Sequence, residues 1–140
     1  MAFIYGKKSE ANLMTVNPVL QLIFRQALKL GLIDISITCG RRSQAEQNEM
    51  YRLGRSRVKW PHGKHNVIDP FDLANALDAA PYVNGKVSYD YRHCVYLAGI
   101  IMAIATERGF KIRWGGNWDM DTEVMTDQDF QDLVHYELVE

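Results

Sequence analysis

Three side chains in this 140-residue sequence have the chemistry of a catalytic metal site: His65, Asp78 and His135. A zinc ion that works on a substrate takes three protein ligands of this kind and leaves its fourth position to water. Such an ion lowers the pKa of the bound water towards roughly 7 and polarises a carbonyl, which suits amide hydrolysis. The sequence has no HExxH segment to place two histidines on one helix, so the fold itself must assemble the ligands. Among the nearby acids, Asp78 is the best placed. If Asn75-Ala-Leu-Asp-Ala-Ala80 is a strand, alternation sets Ala76, Asp78 and Ala80 on one face and Leu77 and Ala79 on the other. A carboxylate among alanines is partly buried, and buried charge needs a partner or a metal. The alternatives are Asp69, which precedes Pro70, and Asp72, in a loop-like run where an acid commonly makes local turn bonds. His62 is a rival imidazole, but Pro61 and Gly63 argue against a helix that would align it with His65.

The elements that must position these residues read as follows. Phe3 to Lys8 is a short extended piece, and Ser9 precedes a short helix with Glu10 in its first turn. Asn17-Pro18 starts a second helix, whose stripe of Leu20, Ile23, Phe24, Ala27, Leu28 and Leu30 faces a core until Gly31 ends it. Ile33 to Gly40 alternates as a strand, with Ile33, Ile35, Ile37 and Cys39 on one face. Ser43 and Glu46 form a capping box that opens a third helix, which runs to about Leu53 and stops at Gly54. Arg42 thus sits at a strand-to-helix junction, suited to aiming a side chain into a cleft. Asn84-Gly85 signals a hairpin turn after the Asp78 strand. Asp90 to Gly109 is the longest helix, Phe110 to Trp114 a strand, and Val134 to Val139 the last strand, with His135 and Glu137 on one face. Glu137 is placed to support a ligand histidine or to serve as an alternative base. The acidic run from Asp119 to Asp129 lacks the glycine of a calcium-binding EF-hand loop and reads as solvated.

The segments GKHN and ALDAAPY, from Gly63 to Tyr82, followed by DLVHYEL, from Asp132 to Leu138, resemble the hedgehog-like zinc peptidases of peptidoglycan. These comprise D-alanyl-D-alanine carboxypeptidases and L-alanyl-D-glutamate endopeptidases, among them many small phage endolysins, which are the nearest in pattern. The family places zinc ligands in S-x-H, A-x-D and D-x-x-H motifs, matched here by His65, Asp78 and His135. Its general base is the acid three residues before the last histidine, here Asp132. Its G-x-R-[ST]-x-x-x-Q segment matches Gly40 to Gln47, which implies a catalytic role for Arg42 and substrate binding for Gln47, close enough to support Arg42 as well. Its W-G-G-x-W run matches Trp114 to Trp118 and implies that Trp118 lines the substrate groove, while Trp114 is read as core. The sequence departs from the pattern in having Gly63 where serine is frequent and 13 residues from His65 to Asp78.

Composition bounds the rest. The length fits one domain spanning residues 1–140, large enough for a real core. A formal net charge of −1 excludes a general attraction to nucleic acid or anionic membrane. No apolar run approaches the 18 residues of a membrane span, and the first residues lack the apolar core of a signal peptide. Cys39 and Cys94 read as buried thiols acting as small hydrophobes. The expectation is an α+β fold: a small antiparallel sheet carrying Zn2+, flanked by helices. The resemblance implies a monomeric endolysin, made in the host cytoplasm, that cuts the L-alanyl–D-glutamate bond of the peptidoglycan stem peptide after release. A D-alanyl-D-alanine carboxypeptidase and a non-catalytic wall-binding module of the same fold are the alternatives.

Overall fold

The computed structural model describes residues 2–125 and 127–139. Its elements run α1 (Lys7–Leu13), α2 (Pro18–Lys29), β1 (Asp34–Cys39), α3 (Gln44–Arg52), β2 (Ala76–Val83), β3 (Lys86–Val87), α4 (Tyr91–Glu107), β4 (Ile112–Gly115) and β5 (Asp132–Leu138). The strands form one antiparallel sheet in the order β1-β2-β5-β4, with β3 as a short hairpin partner of β2. The fold is therefore α+β, as expected.

Local signals explain most boundaries. Asn17 accepts a hydrogen bond from the Val19 amide at the start of α2, with Pro18 in the first turn. The Ser43–Glu46 capping box is present in both directions. Asn84 and Gly85, at φ 52° and 81°, make the left-handed pair that a tight hairpin needs. The first helix begins earlier than the sequence suggests, at Lys7 rather than beyond Ser9. Its N-terminus has no side-chain cap, and Ser9 instead faces inward and bonds the Ile37 amide of β1.

Strand alternation divides the sheet into two chemically distinct faces. Leu77 and Ala79 of β2, Tyr136 of β5, Ile112 and Trp114 of β4, and Ile35 and Ile37 of β1 point into the apolar core. There they meet Leu13, Leu20, Ile23, Phe24, Leu97 and Ile101 from the helices. The Trp114 indole belongs to this core, as read from the sequence, and donates to the Leu133 carbonyl at 2.8 Å. The opposite face carries Ala76, Asp78 and Ala80 from β2, His135 and Glu137 from β5, and Arg113 from β4. Register places Asp78 directly across from His135, and Glu137 between Ala76 and Arg113. Cys39 ends β1 beside Asp78, after a register shift, and is only partly buried. The expectation of a fully buried thiol holds for Cys94 and fails for Cys39, because the shift turns its side chain towards the polar face.

Gly115 is the tightest backbone contact near this face. A Cβ there would lie 2.0 Å from the Asp132 carbonyl oxygen and 3.0 Å from its Cβ. Gly115→Ala is therefore expected to lower unfolding free energy by about 1–3 kcal/mol. Urea denaturation measures it, and an unchanged midpoint would show that β4 and β5 can separate without cost.

Candidate metal centre

His65, Asp78 and His135 come together on the polar face, although 70 residues separate the first from the last. Asp78 and His135 are cross-strand partners at the β2–β5 centre. His65 arrives on the segment that precedes β2. An isolated bridge pairs Arg42 with Asn66, and the Arg42 amide donates to the His65 carbonyl at 2.8 Å. Farther along, the Asn75 amide donates to the Lys64 carbonyl. These bonds draw the irregular segment against the end of β1 and fix where the His65 ring lies.

The ligand atoms form a small triangle. His65 Nε2 is 3.2 Å from Asp78 Oδ1 and 3.1 Å from His135 Nδ1, and His135 Nδ1 is 3.4 Å from Asp78 Oδ1. All three side chains are buried. Each imidazole is oriented by its other nitrogen. His65 Nδ1 lies 2.8 Å from the Gly40 carbonyl, which can only accept, so that nitrogen carries the hydrogen. His135 Nε2 lies 2.8 Å from Glu137 Oε1 and donates to that carboxylate. The remaining lone pairs of both neutral rings therefore point at each other and at the Asp78 oxygen. Three acceptors without a donor repel one another, and a cation resolves the conflict. Bonds of about 2.0–2.2 Å at tetrahedral angles set ligand atoms roughly 3.3–3.5 Å apart, close to the spacing found. The donor set and its dimensions fit a divalent metal ion with an open position.

Without a metal the conflict is met by a proton. Burial disfavours a charged His65, but the adjacent Asp78 carboxylate outweighs this and pushes its pKa up to about 10. His135 is also raised: burial opposes its charge, and bonds to Asp78 and Glu137 prevail. Burial disfavours ionised Asp78 too, but the two histidines hold it well below the usual carboxylate range.

The residues around the triangle line a cleft of about 1170 Å³. Asp132, at the start of β5, lines it three residues from His135. Burial, and then the charge of Asp78, raise its pKa above the ordinary value. Arg42 is buried, with its guanidinium 3.4 Å from Asp78 Oδ2 and 3.0 Å from Gln47 Oε1. Gln47 is 1% exposed and engaged at both ends: its oxygen accepts from Arg42 and Asn66, and its nitrogen donates to Ser56 Oγ and the Val58 carbonyl. Those partners place Gln47 behind Arg42. The Trp118 ring lies 5.4 Å from the His135 ring and stacks on Phe130 at 6.4 Å. Cys39 Sγ sits 3.9 Å from His65 Nδ1 and 3.6 Å from Arg42.

Asp69, Asp72 and His62 are exposed and outside the ligand triangle; His62 lines the cleft, and Asp69 caps a local turn by accepting from the Phe71 amide. Asp119, Asp121 and Asp127 approach one another but are exposed. The Gly40 carbonyl, which orients His65, left no signal in the side-chain sequence. A Cβ on Gly40 would meet the Asn12 carbonyl at 2.3 Å, so this backbone packs where no other residue fits.

The family model described as phage L-alanyl-D-glutamate peptidase matches residues 1–139. The chain belongs to this family. The L-alanyl-D-glutamate peptidase of Escherichia phage T5 is 33% identical over 120 residues, 85% of this chain and 84% of that protein. The crystal structure of the Serratia marcescens L-Ala D-Glu endopeptidase ChiX superposes with a TM-score of 0.75 at 29% identity, covering 97% of this chain and 90% of that one. Membership in the phage L-alanyl-D-glutamate peptidase family agrees with the resemblance read from the GKHN, ALDAAPY and DLVHYEL segments.

Two outcomes follow from the way the histidines are held. Glu137→Gln weakens the bond that orients His135, and metal affinity is expected to fall about 10–100-fold while the fold persists; competition with a chromogenic chelator measures it. Below about pH 10 the metal-free His65 holds a proton that binding must displace, so affinity rises with pH. Titration calorimetry in buffers of different ionisation enthalpy is expected to show at least one proton released per ion near neutrality. No release would mean the apo cluster is not protonated.

Proposed function

We propose that this protein is a zinc peptidase that hydrolyses the L-alanyl–D-glutamate bond of peptidoglycan stem peptides. The observation that carries the zinc assignment is the convergence of two tautomer-locked imidazoles and one carboxylate, with a further acid, Asp132, in the same cleft. Two nitrogens and one oxygen with an open position form the donor set of catalytic zinc sites. The bond assignment rests on the activities named for the relatives in phage T5 and Serratia marcescens. Among the described residues no helix is long and apolar enough to cross a membrane. The protein acts on the wall once it has been released to it.

His65, Asp78 and His135 would hold the zinc. When bound, the ion acidifies a water and polarises the scissile carbonyl. Asp132 accepts the proton of the attacking water and returns it to the leaving amine of D-glutamate. Its raised pKa makes it a stronger base than an exposed aspartate, which suits that exchange. Arg42 steadies Asp78 and presents positive charge to the D-glutamate carboxylate or the developing oxyanion. Gln47 holds Arg42 in place from behind. Trp118 forms one wall of the groove and shields the reacting groups from water.

The deciding experiment is mass spectrometry of purified peptidoglycan digested with the zinc-loaded protein, with and without a chelator. New L-alanine C-termini paired with D-glutamate N-termini, lost on chelation, are expected. Released D-alanine instead would assign a carboxypeptidase, and an intact wall would remove the catalytic reading. Asp132→Asn is expected to lower kcat about 10²–10⁴-fold with zinc content unchanged. In the native protein, activity falls towards acid as Asp132 takes up its proton. The variant should lack this limb.

A further inference from the structure

We propose that Arg113 is a specificity residue: it binds a second carboxylate of the stem peptide, carried by the residue that follows D-glutamate. This rests on the peptidase reading above and extends it to substrate choice. Arg113 lies on the polar face of β4, paired in register with Glu137, and lines the cleft. Its nearest acid, Glu137 Oε2, is 3.7 Å away, longer than the paired bonds an arginine fork makes with a committed carboxylate. Glu137 cannot close that gap freely, because its other oxygen holds His135 Nε2 at 2.8 Å. The Nε of Arg113 is shielded from solvent and has no acceptor among the described residues. The side chain as a whole is 36% exposed where it lines the cleft, so the guanidinium can take an incoming acceptor that the fold itself does not supply.

The charge of the cleft points the same way. Five cations line it, Arg42, Arg55, Arg57, Lys64 and Arg113, against three carboxylates, Asp78, Asp132 and Glu137, a balance of +2. The whole chain carries −1, so positive charge is concentrated where substrate binds. Most of these groups have partners. Arg42 is bound to Asp78 and Gln47, the Arg57 guanidinium stacks over Phe130 at 4.8 Å, and Lys64 reaches the Leu138 carbonyl. Arg113 is the cation set on the sheet with a shielded donor to spare. Arg113 on β4 and Arg42 at the end of β1 flank the ligand triangle from opposite edges of the sheet, with Glu137 between Arg113 and His135. With Arg42 on the developing oxyanion, a stem peptide that runs from the scissile bond towards β4 brings a carboxylate of the residue after D-glutamate to Arg113. A diamino diacid in the third position of the stem supplies such a group; lysine there does not.

The test uses zinc-loaded protein and two soluble stem peptides that differ only in whether the third residue's side-chain carboxylate is free or amidated. The native protein is expected to show a KM about tenfold lower for the free acid, the size of one charge-assisted hydrogen bond. Arg113→Gln is expected to lose that preference through KM, with kcat and zinc content retained, and Arg113→Lys to recover part of it. Equal KM values for the two peptides in the native protein overturn the proposal. So does an Arg113→Gln protein that loses zinc, or kcat on both peptides alike, since Arg113 would then serve only to position Glu137. Calorimetric binding of the two peptides reads the same preference without turnover. A preference for the free acid that Arg113→Gln abolishes, in a protein that hydrolyses neither peptide, sinks the peptidase reading and upholds this one.

Discussion

Two neutral imidazoles and a carboxylate are held with their lone pairs converging in a space from which protein hydrogen-bond donors are largely excluded. The rest of the architecture serves this constraint. The Gly40 carbonyl and Glu137 each take the hydrogen from the far side of one ring. Arg42 reaches the outer oxygen of Asp78 at 3.4 Å and spreads part of its charge without occupying the inner one. Gln47 and Asn66 brace Arg42 in turn. A cluster of this kind is costly to bury as isolated charges and becomes favourable when a cation or proton sits at its centre. Metal binding would therefore couple to the stability of the β2–β5 pair, since two of the three candidate ligands are the cross-strand partners Asp78 and His135.

Much of this was legible from residue order because strand alternation is strict. Ala76-Leu77-Asp78-Ala79 already separates a core face from a polar face, and the DLVHYEL segment does the same with Tyr136 inward and His135 and Glu137 outward. The capping signals at Asn17 and Ser43 were equally local and are present in the structure. What could not be read was anything made by backbone or by register. The β1 shift that turns Cys39 towards the cleft is a property of pairing, not of the sequence IDISITC. The Gly40 carbonyl that sets the His65 tautomer has no side-chain signature. Arg113 leaves no signal in the sequence because its meaning depends on pairing with Glu137 of the neighbouring strand β5. Gln47 lines the cleft, and only its partners reveal that its amide is held by Arg42, Asn66 and the Ser56–Val58 turn.

The electrostatics explain how reactive groups of the same sign coexist. Asp78 and Asp132 share one cleft, yet their environments pull them apart: the histidines hold Asp78 ionised, while burial and the charge of Asp78 raise Asp132. Separation of this kind lets one carboxylate stay a ligand while its neighbour exchanges protons.

The two faces of the sheet also divide the labour of change over generations. Stability is concentrated under the sheet, where Leu77, Tyr136, Trp114 and the helices interlock. Part of the cleft wall comes from residues 54–58, 62–64, 118, 130 and 131, none of which belongs to that core. Substitutions in those walls can redirect which wall peptides are accepted without unsettling the scaffold. A sheet that is sealed on one side and chemically open on the other is a platform on which specificity drifts faster than fold.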